Sequence, residues 1–185
     1  MKRLSSISFF ILILFADFGW AKDFGISIER AQLLRQGNEY RLEADIDYRF
    51  SDAALNALDN GVSLTLRGLV KVKRSRRYMW DETIEKMELL YRLRYRALSD
   101  RYQIVNETSG VRRYYASMES AIEALGKIRG MPVLRVERLA SGESHYATMQ
   151  IQLDIEALPL PLRPIAYLSP AWYLSSSKYT WLLAQ

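Results

Sequence analysis

The ten residues from Lys71 to Trp80 bring Lys71, Lys73, Arg74, Arg76 and Arg77 together with Tyr78 and Trp80. Cations beside aromatic rings suit an anionic surface. Each lysine or arginine near such a surface is worth about 1 kcal/mol of attraction to lipid or lipopolysaccharide phosphates, and the rings settle at the interface between headgroup and hydrocarbon. The same charges also serve a plainer purpose, keeping a loop or a strand end from unwanted pairing. A second cationic set, Arg92, Arg94 and Arg96, alternates with Tyr91, Leu93 and Tyr95. On a strand this puts guanidinium groups on one face and rings on the other. Nucleic-acid platforms hold rings and cations on the same face, so that bases stack on the rings. The segment therefore reads as the two faces of a β-sheet, with rings toward the core, and nucleic acid is not the expected partner.

Groups able to do catalysis are sparse. The chain has one histidine, His145, and no cysteine, so no soft-ligand cluster can assemble around a metal. His145 lies in "SGESHY", which reads as a turn into a strand with the imidazole at the surface. Asp81 and Glu82 are adjacent and would face opposite ways on a strand. Glu43, Asp45 and Asp47 do share a face, and two converging carboxyl groups are what an envelope glycan hydrolase or lyase would use. On an open sheet, however, nothing excludes water or shifts their pKa values. Nucleophile elbow, phosphate loop, dinucleotide fingerprint and zinc motif are all missing from the sequence. The expectation is a protein without catalytic activity, cofactor or metal. Asn106-Glu107-Thr108 matches a glycosylation sequon, a short and unspecific pattern. Trp172 and Trp181, with Tyr167, Tyr173 and Tyr179 around them, read as closing one end of a core.

The elements that must position these residues are mostly strands. Alternation of apolar and polar residues is strong in Tyr40 to Phe50, Val62 to Lys73 and Ala147 to Ile155. It is weaker in 25–34, 102–106, 111–115 and 133–139. Residues 78–90 fit helix or strand, with the extended form favoured by the strands on either side. Ser51 can cap a short helix carrying Leu55 and Leu58 that stops at Gly61, and Ser117 can cap a second carrying Met118, Ala121, Ile122 and Leu125. Pro159, Pro161, Pro164 and Pro170 rule out a regular strand or helix in the tail before a last strand at 178–184. Many short strands and two short helices predict a mainly β fold: an antiparallel two-sheet sandwich, immunoglobulin-like or related, with a proline-rich C-terminal crossover.

The amino end speaks to location. Lys2 and Arg3 precede an apolar run from Ile7 to Phe15, and Gly19-Trp20-Ala21 supplies the small residues of a cleavage site. This is the pattern of a signal peptide over residues 1–21, with cleavage after Ala21, export to the periplasm and a single sandwich domain over 22–185. The run is too short to span about 30 Å of hydrocarbon as a helix, so the cleaved protein is not expected to be transmembrane. Net charge is +5 over the whole chain, a modest surplus that favours anionic partners weakly.

Several segments carry a family resemblance: "ALDNGVSLTL" (57–66), "WDETI" (80–84), "YRLRYRALSDRY" (91–102), "SMESAIEALGKI" (117–128) and the tail with Trp172 and Trp181. Together they resemble domain-of-unknown-function family 4390, exported proteins of Gram-negative bacteria. The resemblance runs over nearly all of the chain after residue 21. It implies a compartment and an extent but no activity. Arg96 stands where the family frequently has histidine, which removes a potential ligand or proton carrier. Family genes often neighbour one for a membrane sensor kinase, which implies that kinase's periplasmic domain as a partner.

Overall fold

The computed structural model describes residues 24–139 and 142–183. The expected signal peptide lies outside the described residues. Among these residues nine strands form two antiparallel sheets, one in the order β1-β2-β7 and the other in the order β6-β5-β4-β3-β8-β9. They pack face to face as a sandwich, in agreement with the fold expected from the alternation.

The three-stranded sheet begins as a hairpin. β1 (Gly25–Gln36) pairs with β2 (Glu39–Arg49) across a two-residue turn. Gly37 takes φ +63° there, a conformation in which only glycine is relaxed. A bulge between Ile28 and Arg30 adds one residue and shifts the buried positions from Ile26 and Ile28 to Ala31 and Leu33. In β2, Tyr40, Leu42, Ala44, Ile46 and Tyr48 are all buried, as the period-two reading requires. β7 (Lys127–Arg135) completes this sheet. It starts six residues earlier than the expected 133–139, because two register shifts against β2 break the alternation that would have marked it.

The larger sheet is built around β3 (Leu64–Arg74), which pairs with β4 (Glu82–Arg96) and β8 (His145–Leu153). Residues 82–90 are therefore extended. β5 (Arg101–Asn106) and β6 (Arg112–Tyr115) continue the sheet on one side, and β9 (Tyr179–Leu182) ends it on the other. Leu64, Leu66, Val70, Val72, Leu93, Ala147, Met149 and Ile151 turn inward, each at most 2% exposed. Burying side chains of this kind stabilises by roughly 1.5–3 kcal/mol apiece.

Two helices form as their caps foretold. In α1 (Asp52–Asp59) the Ser51 hydroxyl accepts from Ala54 N at 3.3 Å and donates to Ala171 O at 2.6 Å. In α2 (Met118–Leu125) the Ser117 hydroxyl accepts from Ser120 N at 3.2 Å. Each helix buries an i, i+4 pair, Ala54 with Leu58 and Ala121 with Leu125, as a short amphipathic helix on a sheet must. The turn after α2 sits hard on β2. Ile46 N donates to Gly126 O at 2.9 Å, and a Cβ at Gly126 would fall 2.2 Å from Ile46 O. A third helix, α3 (Arg163–Leu168), corrects the expectation that prolines exclude regular structure in the tail. Pro164 occupies its first turn, where the missing N–H has no helical partner to lose.

Candidate functional site

β3 and β4 are joined by a seven-residue connection, Ser75 to Asp81, since the last paired residues are Arg74 and Glu82. At its crest Tyr78 is 88% exposed, Met79 68% and Trp80 94%. The Arg77 guanidinium lies 5.8 Å from the centre of the Tyr78 ring, within the range of a cation–π contact. Below the crest the hairpin is clamped. Glu82 accepts from both Arg74 and Arg76, and Arg74 also reaches Glu143 at 2.8 Å. Tyr146 donates to Asp81, and Ser75 N donates to Ser144 O at 3.0 Å. The Arg74 guanidinium holds the Glu82 carboxyl below its ordinary value. The Tyr146 hydroxyl does the same for Asp81. Consecutive apolar side chains are thus raised on a stem whose acids are already engaged.

The basic segment therefore divides in three. Arg74 and Arg76 brace the stem. Arg77, Tyr78 and Trp80 form the crest, joined by Met79. Lys71 and Lys73 point to the outer face of the larger sheet, and with Lys178 they line a groove of about 290 Å³ together with Tyr146, Thr148 and Thr180. No carboxylate lines that groove, and none of the three lysines makes an ion pair among the described residues. Sequence reasoning missed Met79 and Lys178. Met79 was hidden by the focus on rings, and Lys178 reaches the groove only because β9 is added beside β8.

The second candidate surface is placed differently. Arg92, Arg94 and Arg96 do lie on the outer side of β4. Arg92 pairs with Glu107 at 3.2 Å. Arg94 donates to Gln103 Oε1 at 2.8 Å, and Gln103 Nε2 donates to the Tyr114 hydroxyl at 2.9 Å. Gln103 is only 1% exposed, so this row is a roofed polar network. Arg96 is exposed and has no ion pair among the described residues. The strand carrying Glu43, Asp45 and Asp47 belongs to the other sheet, so those acids do not pair across the ladder with the arginines of β4. On the inner side Leu93 is fully buried, while Tyr95 is only partly buried at the strand end; the expected core row is shorter than the alternation suggested.

Of the acids named for a glycan-cleaving reading, Asp45 and Asp47 line a shallow groove with Glu29, Glu119 and Glu123, while Glu43 lies outside it and accepts from Gln32 at 3.3 Å. Their electrostatics run against general-acid chemistry. Asp45 is held below its ordinary pKa by Arg129 first and Arg30 next, and Glu123 by Lys127. A carboxyl that must deliver a proton near neutral pH needs the opposite shift. Among the described residues no group of three or more His, Cys, Asp and Glu is arranged to hold a metal ion.

His145 is not at the surface, which corrects that expectation. β8 begins at His145 itself, opposite Arg74, so the ring alternates inward with Ala147 and Met149 and is 2% exposed. Among the described residues neither ring nitrogen has a hydrogen-bond partner. In the tail, Trp172 is buried as expected, whereas Tyr167 and Tyr173 remain about half exposed. Asn106 of the sequon uses its side-chain oxygen locally, accepting from Thr108 N and Ser109 N at 3.0 Å each.

No curated protein and no solved structure matches the chain. A family model does, over residues 24–182, a span that takes in all nine strands and the hairpin crest, and the chain belongs to that family, described as Domain of unknown function (DUF4390).

Proposed function

We propose that the protein is an exported, non-catalytic binding module of the cell envelope that docks by its β3–β4 hairpin on an anionic membrane face in the periplasm. One observation carries this reading: Tyr78, Met79 and Trp80 are consecutive and at least 68% exposed at the end of a braced hairpin. Water-exposed apolar side chains in a row cost solvation and suit a surface that receives them. Interfacial rings with cations behind them match an anionic bilayer in chemistry and in order. Arg77 lies at the crest, and the groove of Lys71, Lys73 and Lys178 offers headgroup phosphates a cationic seat, with Asp81 beside Lys73 as the nearby acid. Support for the compartment comes from Lys2, Arg3 and the apolar run that follows them.

Flotation with phosphatidylglycerol vesicles and with neutral phosphatidylcholine vesicles tests the proposal. Binding to the anionic vesicles at low salt is expected, weakening as salt rises, because screening shortens to about 10 Å at 0.1 M. Replacing Tyr78, Met79 and Trp80 by serine together should abolish it. Failure to float under any condition would overturn membrane docking. Crosslinking from position 80 to a membrane protein's outer domain in cells would then transfer the crest to a protein partner such as the sensor kinase.

A further inference from the structure

The two sheets of the sandwich are unequal, and the mismatch leaves a cleft. β7 lies over β4, and β1 lies over β8 and β9. The smaller sheet therefore leaves β5 and β6 uncovered. α2 bridges this overhang, touching β2, β5, β6 and β7, without filling it. β7 also bends, since its register with β2 shifts twice and Gly130 takes φ +63°. Between these elements is a cavity of about 370 Å³, the size of a small-molecule site. Its walls are mostly apolar, with Tyr91 and Ile104 from the larger sheet, Leu125 from α2, and Ile128 and Met131 from the smaller sheet, and Asn106 and Ser109 add polar groups.

The mouth is cationic. Arg113, Lys127 and Arg129 line the cleft and no carboxylate does. Lys127 and Arg129 are engaged by Glu123 and Asp45. Arg113 has no ion pair among the described residues, and its position is unusual for a surface arginine. It stands opposite Ile104 in the β5–β6 register, on the side of the edge strand that faces the interior, while Arg112 and Tyr114 take the outer side. An arginine at the rim of an apolar cavity, with no acid from its own chain, is complementary to a molecule with an apolar body and an anionic head.

We infer that this cleft binds a small anionic amphiphile, a single medium-length acyl chain ending in a carboxylate. The chain lies between Ile104, Leu125 and Met131, and the carboxylate sits on Arg113. The site is separate from the hairpin crest and does not depend on how the crest is used.

Calorimetric titration of the full protein with decanoate, decanol and decyltrimethylammonium tests this. Decanoate should bind once per chain below its micellar range, decanol more weakly, and the cation not at all. Arg113→Gln should weaken decanoate about tenfold or more, the usual scale for losing a charge-assisted hydrogen bond, and leave decanol unchanged. Ala124→Leu narrows the cleft from α2 and should weaken both, with the melting temperature confirming that the variant is folded. Trp80→Ser should bind decanoate as the parent does, so loss of crest docking and loss of this site are read separately. Absence of binding below the micellar range would overturn the inference. So would decanoate binding that is indifferent to both cleft variants.

Discussion

The hairpin crest and the arginine row of β4 are built from the same residue types, cations interleaved with tyrosine and tryptophan or leucine, and they end with opposite exposures. Along β4 the strand continues, so period two sends Leu93 into the core and leaves Arg92 and Arg94 outside, where Glu107 and Gln103 receive them. Between Arg74 and Glu82 the strand is interrupted. Alternation then lapses, no neighbouring strand covers Tyr78, Met79 or Trp80, and the cations nearest the stem are taken by Glu82 and Glu143. A cation next to a ring in sequence says little by itself. What decides is whether a ladder partner exists to give the segment two faces.

The comparison predicts that apolar residues matter to stability on β4 and hardly at all at the crest. Leu93→Ala should have the largest effect, about 2–5 kcal/mol in denaturant unfolding, because the side chain is fully buried and its removal leaves a cavity. Tyr95→Asp should cost less than a charge at 93, since Tyr95 is only partly buried at the strand end, its cost coming from the lost hydrogen bond to Asp100 and a second carboxylate beside it. Equal losses at 93 and 95 would mean that the buried row runs the full strand.

Next in size is the roofed network. Gln103→Ala should destabilise by about 1–3 kcal/mol, because it strands Arg94 and the Tyr114 hydroxyl without their partner. Arg94→Ser should cost about 1 kcal/mol by uncovering the buried Gln103 amide. Changes near zero in both would reduce the row to solvated surface.

Smaller still is the stem. Glu82 has its pKa depressed below 4.5 by Arg74. A depressed carboxyl contributes stability that is present above its unfolded pKa and is lost as pH falls through the folded value. Amide protection factors across residues 75–81, taken against the intrinsic rate at each pH, should therefore hold at neutral pH and fall below about pH 4. Glu82→Gln should give the lower protection at neutral pH, and pH-independent protection in the parent would remove the ion pairs from the account. Smallest of all, Trp80→Ser should leave unfolding within about 0.5 kcal/mol of the parent, as for any exposed site without a packing role.

The strands and both serine-capped helices were legible because their signals are local: period two in Tyr40 to Tyr48, and a hydroxyl three residues before the amide it accepts from. Sheet membership was not legible, since alternation tells a strand which side is apolar and not which strand lies beside it. Asp45 is thus held by Arg30 and Arg129, from its own sheet, and not by an arginine of β4. His145 was misjudged for a related reason, since one residue more of strand turns a surface histidine inward. α3 formed because Pro164 falls in a first turn, where proline is tolerated, a placement visible only once the helix start is known. The crest was half legible. Its composition stood out, while the neutralisation of Arg74 and Arg76 and the arrival of Lys178 depend on chain pairings made at long range.

Membrane docking by the crest is tested most directly by Trp80 itself. Brominated lipids quench a tryptophan that enters the hydrocarbon boundary, so the emission of the protein should be compared with that of Trp80→Phe on brominated phosphatidylglycerol vesicles. With the chain starting at Lys22, so that Trp20 is absent, the account predicts quenching in the parent at low salt that is lost in Trp80→Phe, because Trp172 is buried in the sandwich and Trp181 is partly buried against the core. Quenching of equal depth in both proteins, or vesicle binding that leaves Trp80 as accessible to water-borne quenchers as before, would contradict it.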